Sequence, residues 1–194
     1  MQSNIIWDIK ENEKICVLDL DDVLANSIEH WVDFANKELK TNFKDLYELK
    51  DNISYRKYKN TKTKYRECGI KLQIKPFEDA SKFTRELKKL GFVIIILTRR
   101  PQFIHKCLFS VTKKWLEKNK IEYDALYFDD KKHLKILNDI ENVKFVVEDN
   151  KYNGNIIAGF GIKCYLLDNK YNQGILNKNV IRVGKLMDII TAEK

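Results

Sequence analysis

From Phe92 to Leu97 the chain reads Phe-Val-Ile-Ile-Ile-Leu, an apolar run without a polar break. A surface helix would interrupt such a run with polar residues every second or third position, and a strand with one wet face would alternate. A short continuous run rich in β-branched residues fits a strand covered on both faces, as in a parallel sheet. Runs of the same kind lie at Ile15–Leu18, Ala125–Phe128, Phe145–Val147 and Cys164–Leu167, with Val180–Val183 as a last short candidate. Between them are segments with helical spacing of apolar residues: Asp79–Leu90, closed by Gly91; Gln102–Asn119, with Phe103, Cys107, Val111 and Trp115 in step; Leu134–Ile140; Asn155–Phe160; and Leu186–Ile190. Strand and helix in alternation predict an α/β fold on a doubly wound parallel sheet, because parallel neighbours need right-handed crossovers.

One stretch departs from this alternation. Residues 27–40 have the spacing of an amphipathic helix, with Ile28, Trp31, Val32, Phe34, Ala35 and Leu39 in step. The chain then turns polar, basic and aromatic, and residues 50–75 hold nine Lys or Arg against only Asp51 and Glu67. The pattern divides the protein into a core of residues 1–25 and 76–194 and a small, mainly helical cap of residues 26–75 inserted after the first strand. Tyr47, Tyr55, Tyr58 and Tyr65 in the insertion have two readings, stacking on a ligand's base or packing the cap's own interior.

Ligands of doubly wound sheets bind beyond the carboxyl ends of the strands. Four strand ends here carry chemistry: Asp19–Asp22, Thr98–Arg100, Asp129–Lys132 and Glu148–Asn150. Asp19, Asp21 and Asp22 crowd the tip of an apolar strand, where like charges repel and desolvation is costly. A hard divalent cation with oxygen ligands relieves that cost, and Mg²⁺ is the expected ion. Asp19 and Asp21 lie two apart, so in extended backbone they share a side, one placed to attack and the other to move a proton. Thr98 can bind a phosphoryl oxygen without adding charge, and Arg99 and Arg100 can pair with phosphate, with Arg99 the better candidate for plain exposure. Lys131 or Lys132 can offset charge on a transferring phosphoryl group, and Glu148 and Asp149 can complete a metal shell.

Composition narrows the partners. The net charge of +8 favours anions such as phosphates, nucleotides or nucleic acid, although lysine is spread along the whole chain. No apolar run approaches a membrane span, and the N-terminus has no basic start followed by a long apolar stretch. Cys16, Cys68, Cys107 and Cys164 form no Cys-x-x-Cys pair, and His30, His105 and His133 show no ligand spacing. The cysteines read as buried thiols in a reducing compartment, so a cytoplasmic location is expected.

In this order, the four strand ends resemble the haloacid dehalogenase superfamily of phosphohydrolases. Its first motif, Asp-x-Asp-x-Thr/Val-Leu after an apolar strand, is matched by Asp19-Leu20-Asp21-Asp22-Val23-Leu24. Thr98 matches the second, Lys131 or Lys132 the third, and Glu148-Asp149 the fourth. Many relatives have Gly where this chain has Asp22. A helical cap between the first and second motifs is similar to the 5'(3')-deoxyribonucleotidase family, as is the Tyr-Asn loop within Asp168–Gln173.

The resemblance implies a Mg²⁺-dependent phosphomonoesterase acting on nucleoside or deoxynucleoside monophosphates. It implies that Asp19 is the nucleophile, that Asp21 is the acid and then the base, and that Thr98 and one lysine hold the phosphoryl oxygens. Mg²⁺ would be held by Asp19, the backbone carbonyl of Asp21, and Asp149 with help from Glu148. Crowding by acids is expected to keep Asp21 protonated for the first step. Polynucleotide ends and sugar phosphates are alternative substrates for the same set of residues. A non-catalytic protein binding nucleic acid or another partner is the alternative outside enzymology.

Overall fold

The computed structural model describes residues 13–67, 69–132, 136 and 142–194. Its centre is a parallel six-stranded sheet in the order β3-β2-β1-β4-β5-β6. The strands are β1 (Lys14–Leu18), β2 (Phe92–Thr98), β3 (Ala125–Phe128), β4 (Val143–Glu148), β5 (Lys163–Leu167) and β6 (Val180–Val183). The continuous apolar runs are explained by burial on both faces. Cys16 and Leu18 of β1 join Ile94, Ile96, Phe145 and Val147 in one hydrophobic cluster. Ile15 and Val17 face the other way, into a second cluster with Ile95, Leu97, Val143 and Val146. Period-two alternation persists along β1 and β2 with both sides apolar, while a register shift between β1 and β4 lets Val143 and Val146 share a cluster.

Helices cover both faces. On the first are α1 (Ser27–Leu39), α4 (Ala80–Lys89), α5 (Cys107–Lys118) and the C-terminal α7 (Leu186–Ala192), which contribute Trp31, Phe83, Leu87, Trp115 and Ile189 to that cluster. On the second, α6 (Lys151–Gly159) contributes Ile157. The segment between β1 and α4 also contains α2 (Leu46–Asn52), α3 (Tyr55–Tyr65) and a 3-10 turn (Ile70–Gln73). Leu49 and Tyr65 of this segment lie in the same cluster as Leu20 and Leu24, so its interior is continuous with that of the sheet.

Two helices begin elsewhere than their spacing suggested. Helix α5 starts at Cys107, after a turn following Pro101, and Phe103 is 83% exposed instead of on the helix's apolar face. Helix α6 starts at Lys151 because the Asn150 side chain accepts the Tyr152 and Asn153 amides, a cap that apolar periodicity does not reveal. The helix expected over Leu134–Ile140 falls outside the described residues apart from Ile136, as do Cys68, His133 and residues 1–12. Of the other cysteines, Cys16 and Cys164 are buried as expected, whereas Cys107 is only half-buried.

Strand order reverses between β1 and β4, the switch point where a crevice opens beyond the strand ends. Leu18 pairs with Ile96 on one side and Val147 on the other, and the Asp19 amide donates to the Val147 carbonyl at 3.0 Å. This register brings the ends of β1, β2 and β4 to one rim.

Candidate active site

Asp19 leaves β1 with its side chain over that rim. Its Oδ1 accepts the Leu20 amide at 2.6 Å, and its Oδ2 meets Lys132 Nζ at 2.6 Å. The same ammonium reaches Glu148 Oε1 at 3.1 Å. Burial disfavours the charge on Lys132, but Asp19 and Glu148 outweigh it and raise its pKa, so the lysine is held as a cation. Lys131, one residue earlier, is exposed, and its backbone amide donates to Asp129 Oδ1. Of the two lysines, only Lys132 enters the crevice.

Asp19, Glu148 and Asp149 each bring a carboxylate oxygen within 4.8 Å of the others. Burial pushes Glu148 up to about 7. Burial, then Asp19 and Glu148, raises Asp149 as well. Glu148 is 1% exposed and its Oε2 has no hydrogen-bond partner among the described residues. Asn153 lies near enough to favour the ionised form, but its amide does not meet hydrogen-bond geometry with that oxygen. Three carboxylates gathered this closely, one of them with a buried oxygen that has no partner, are a donor set for a hard cation, and Mg²⁺ fits it. The carboxyl of Asp21 is not part of this set.

Asp149 is fixed from the β5–β6 side. Tyr171 donates its hydroxyl to Asp149 Oδ2 at 2.7 Å. The buried Asn172 amide donates to the carbonyls of Asp149, at 2.8 Å, and Leu167, at 2.7 Å. Arg182 of β6 in turn grips Asn172 Oδ1 at 2.6 Å and Asp168 at 2.7 Å. These are contacts of the Tyr-Asn loop singled out in the sequence.

Asp21 is where the expected electrostatics were wrong. Arg100 clamps it with Nε at 3.0 Å and Nη2 at 2.6 Å, Lys71 adds a contact at 3.3 Å, and Ser27 donates its hydroxyl. Burial alone would favour the neutral acid. The Arg100 guanidinium, then the Lys71 ammonium, overcome it and hold the Asp21 carboxyl well below the usual carboxylate range. Asp21 is therefore an ion-paired carboxylate, not a proton held by acidic crowding. Arg100 is itself buried and anchored through Nη1 to Thr112 of α5 at 3.0 Å.

Sequence reasoning missed Lys71. It lies on the 3-10 turn of the insertion, where no motif marks it, and burial pushes its pKa down to about 8, so it stays charged at neutral pH. Thr98 is buried, accepts the Arg100 amide at 3.3 Å, and lines the cavity beside Asp19, whereas Arg99 is exposed at its edge.

Asp22 occupies the position where glycine was noted in relatives, and its φ of 63° explains that preference. Asp tolerates the left-handed region better than most residues, and here its carboxylate accepts the Ile28 amide at the start of α1 at 2.9 Å. Burial pushes Asp22 up to about 7.

The cavity above these residues measures about 180 Å³ and is also lined by Lys62 and Tyr65 of α3 and by Arg66, which caps that helix. Tyr65 is the one member of the four singled-out tyrosines that lines it. Tyr58 packs edge-on against Trp31 at 5.5 Å, and Tyr47 and Tyr55 point to solvent. Lys62 Nζ sits over the Trp31 ring at 4.1 Å and the Tyr65 ring at 4.9 Å. Burial, then Lys71, pushes Lys62 down to about 7.

Residues 13–192 match the model of the family described as 5' nucleotidase, deoxy (pyrimidine), cytosolic type C protein. The chain belongs to this family. A curated nucleotidase of Clostridium acetobutylicum is 24% identical to this nucleotidase-family chain over 179 residues, 89% of the chain and 88% of the relative. A haloacid dehalogenase-like hydrolase from Streptococcus pneumoniae superposes with a TM-score of 0.63 at 14% identity, covering 94% of this chain and 99% of that one. The D,D-heptose 1,7-bisphosphate phosphatase of B. bronchiseptica, solved with magnesium and phosphate, gives 0.58 at 11% identity, covering 92% and 97%. The fold is thus shared with haloacid dehalogenase-like hydrolases, as the sequence resemblance implied, and the chain is a phosphoric monoester hydrolase of the nucleotidase type. Among the described residues no helix is long and apolar enough to cross a membrane.

Proposed function

We propose that this nucleotidase-family protein is a Mg²⁺-dependent phosphatase of nucleoside or deoxynucleoside monophosphates, working in the cytoplasm through an aspartyl-phosphate. The observation carrying this reading is the three-carboxylate set of Asp19, Glu148 and Asp149 with its unpaired Glu148 Oε2, gathered at the sheet's switch point beside Lys132 and Thr98. Family membership and the relative's name support a nucleotide as substrate. The family description and the unpaired thiols of Cys16 and Cys164 support the location.

Asp19, Glu148 and Asp149 would hold the Mg²⁺, which supplies positive charge to the phosphoryl oxygens and favours ionised Asp19. Asp19 attacks phosphorus through its carboxylate. The bond to the leaving oxygen breaks as the new one forms. Lys132 and the Thr98 hydroxyl hold phosphoryl oxygens as charge builds. Asp21 gives the leaving alkoxide its proton and then takes one from the water that opens the aspartyl-phosphate. Before substrate arrives Asp21 is an anion in the grip of Arg100 and Lys71. A bound phosphate ester competes for those same cations, loosens their hold and lets Asp21 take up a proton. Residues 26–75 serve as the cap, lending Ser27, Lys62, Tyr65, Arg66 and Lys71 to the cavity wall.

The direct test is phosphate release from nucleoside monophosphates, sugar phosphates and p-nitrophenyl phosphate, with and without Mg²⁺. Release from nucleotides that vanishes in EDTA is expected. No release from any phosphomonoester would end the proposal.

Stability supplies a second readout. The folded protein keeps Glu148 protonated up to about pH 7, whereas an unfolded chain loses that proton near 4.5, and Asp149 shifts in the same direction. Folded protein binds more protons in that window, so metal-free stability should fall as pH rises through it. Mg²⁺ binds the ionised carboxylates and should restore the loss, so its effect on Tm should be larger at pH 8 than at pH 5. Equal shifts at the two pH values would argue against Glu148 and Asp149 as ligands.

A further inference from the structure

The cavity wall holds more positive charge than a single phosphoryl group needs. Lys62, Arg66, Lys71, Arg99 and Arg100 all line it, in addition to Lys132 beneath. The acids facing them are already engaged. Asp19 is bound to Lys132, Asp22 accepts the Ile28 amide, and Asp21 is shared by Arg100 and Lys71. Among the described residues, Lys62, Arg66 and Arg99 have no carboxylate within ion-pair distance. Lys62 rests on two aromatic faces instead. Lys71 and Arg100 are 6% and 4% exposed and are answered by Asp21, whereas Lys62 and Arg66 are half-buried and Arg99 is exposed. Like charges gathered on one wall repel one another, and an anion among them removes that cost. Lys62 and Arg66 reach the cavity from the inserted segment and Arg99 from the end of β2, and a neutral nucleoside gives them nothing to bind.

We infer that the substrate's leaving group carries a second phosphate, gripped by Lys62 and Arg66 with Arg99 at the edge. That chemistry occurs in a nucleoside 3',5'-bisphosphate and in the phosphodiester next to a 5'-phosphorylated oligonucleotide end. The inference rests on the phosphomonoesterase reading above and, for that site, replaces the simple nucleoside monophosphate with a nucleotide bearing a second phosphate. Guanidinium and ammonium groups differ in grip. Arg66 can take two phosphate oxygens side by side, whereas Lys62 acts as a point charge.

The test is binding to the Asp19→Asn protein in Mg²⁺, measured by titration calorimetry. The probes are thymidine 5'-monophosphate, thymidine 3',5'-bisphosphate and a 5'-phosphorylated dithymidylate. The bisphosphate or the dinucleotide should bind at least about tenfold more tightly than the monophosphate, as one added charge-assisted contact to phosphate allows. Lys62→Gln with Arg66→Gln should bring that ratio close to one. A gain for both probes that rises further with oligonucleotide length and falls with salt assigns the site to polynucleotide ends. A gain for the bisphosphate alone assigns it to free nucleotides. Equal affinity for all three probes, or a ratio that survives the double substitution, overturns the inference. The same ranking should appear in the parent protein as inhibition of p-nitrophenyl phosphate turnover, which guards against a folding defect in the variant. Absence of turnover in the parent would remove the phosphatase reading and leave the affinity ratio to decide the second-phosphate site.

Discussion

Asp19→Asn should lower phosphate release by about 10⁵-fold or more, the scale of losing a covalent nucleophile. The amide cannot attack phosphorus as a carboxylate does, and nothing nearby replaces it. Asp21 is held away by Arg100, and Glu148 is bound to Lys132 at 3.1 Å. The fold should survive. An Asn Oδ1 can still accept the Leu20 amide that Asp19 Oδ1 accepts at 2.6 Å, and Lys132 keeps Glu148 as its partner. Removing one charge from a crowded acidic set also offsets the lost ion pair, so stability should stay within about 1 kcal/mol. Steady-state release and a thermal melt check both halves. Turnover within tenfold of the parent would remove Asp19 as nucleophile.

Lys132→Ala should damage both stability and rate. The ammonium is buried and joins Asp19 to Glu148, so its loss leaves two desolvated carboxylates facing Asp149. Breaking a buried pair from one side costs about 3–5 kcal/mol, or on the order of 10 °C in Tm for a chain of this size. The loss should be largest in metal-free buffer at pH 8. It should shrink toward pH 5, where the acids can take protons, and shrink again in Mg²⁺. Turnover should fall by about 10²–10³-fold, as when one preorganised donor to a transition-state oxygen is removed. Lys131→Ala, on an exposed side chain, should change neither quantity measurably. Matching losses in the two variants would undo the assignment of Lys132.

The fold was legible because strands buried on both faces leave little freedom in residue type. Phe92–Thr98 could be read almost to its ends for that reason, whereas only Phe145–Val147 of Val143–Glu148 stood out, because the exposed Lys144 interrupts its apolar run. Helix starts were less legible. The first turn of α6 is polar and set by the Asn150 side chain, and Phe103 follows helical spacing without being in a helix. The strand-end residues could be listed from sequence because each directly follows an apolar run. Their charge states could not, because these depend on groups distant in sequence. Arg100 lies 79 residues from Asp21 and Lys71 lies 50 away, and together they reverse the protonation that local acidic crowding implies. In the sequence Arg100 reads as a phosphate ligand, while Lys71 carries no signal beyond belonging to a basic insertion.

Arg182 connects the outermost strand to the catalytic rim. It sits on β6, the sheet edge on the same side as β4 and β5, yet it holds Asn172, whose amide pins the main chain at Asp149. An alteration at that border should therefore weaken the proposed Mg²⁺ site while the interior stays sound. In a clipped or fused version of the protein, impaired loading of that proposed site would be an earlier symptom of damage there than unfolding.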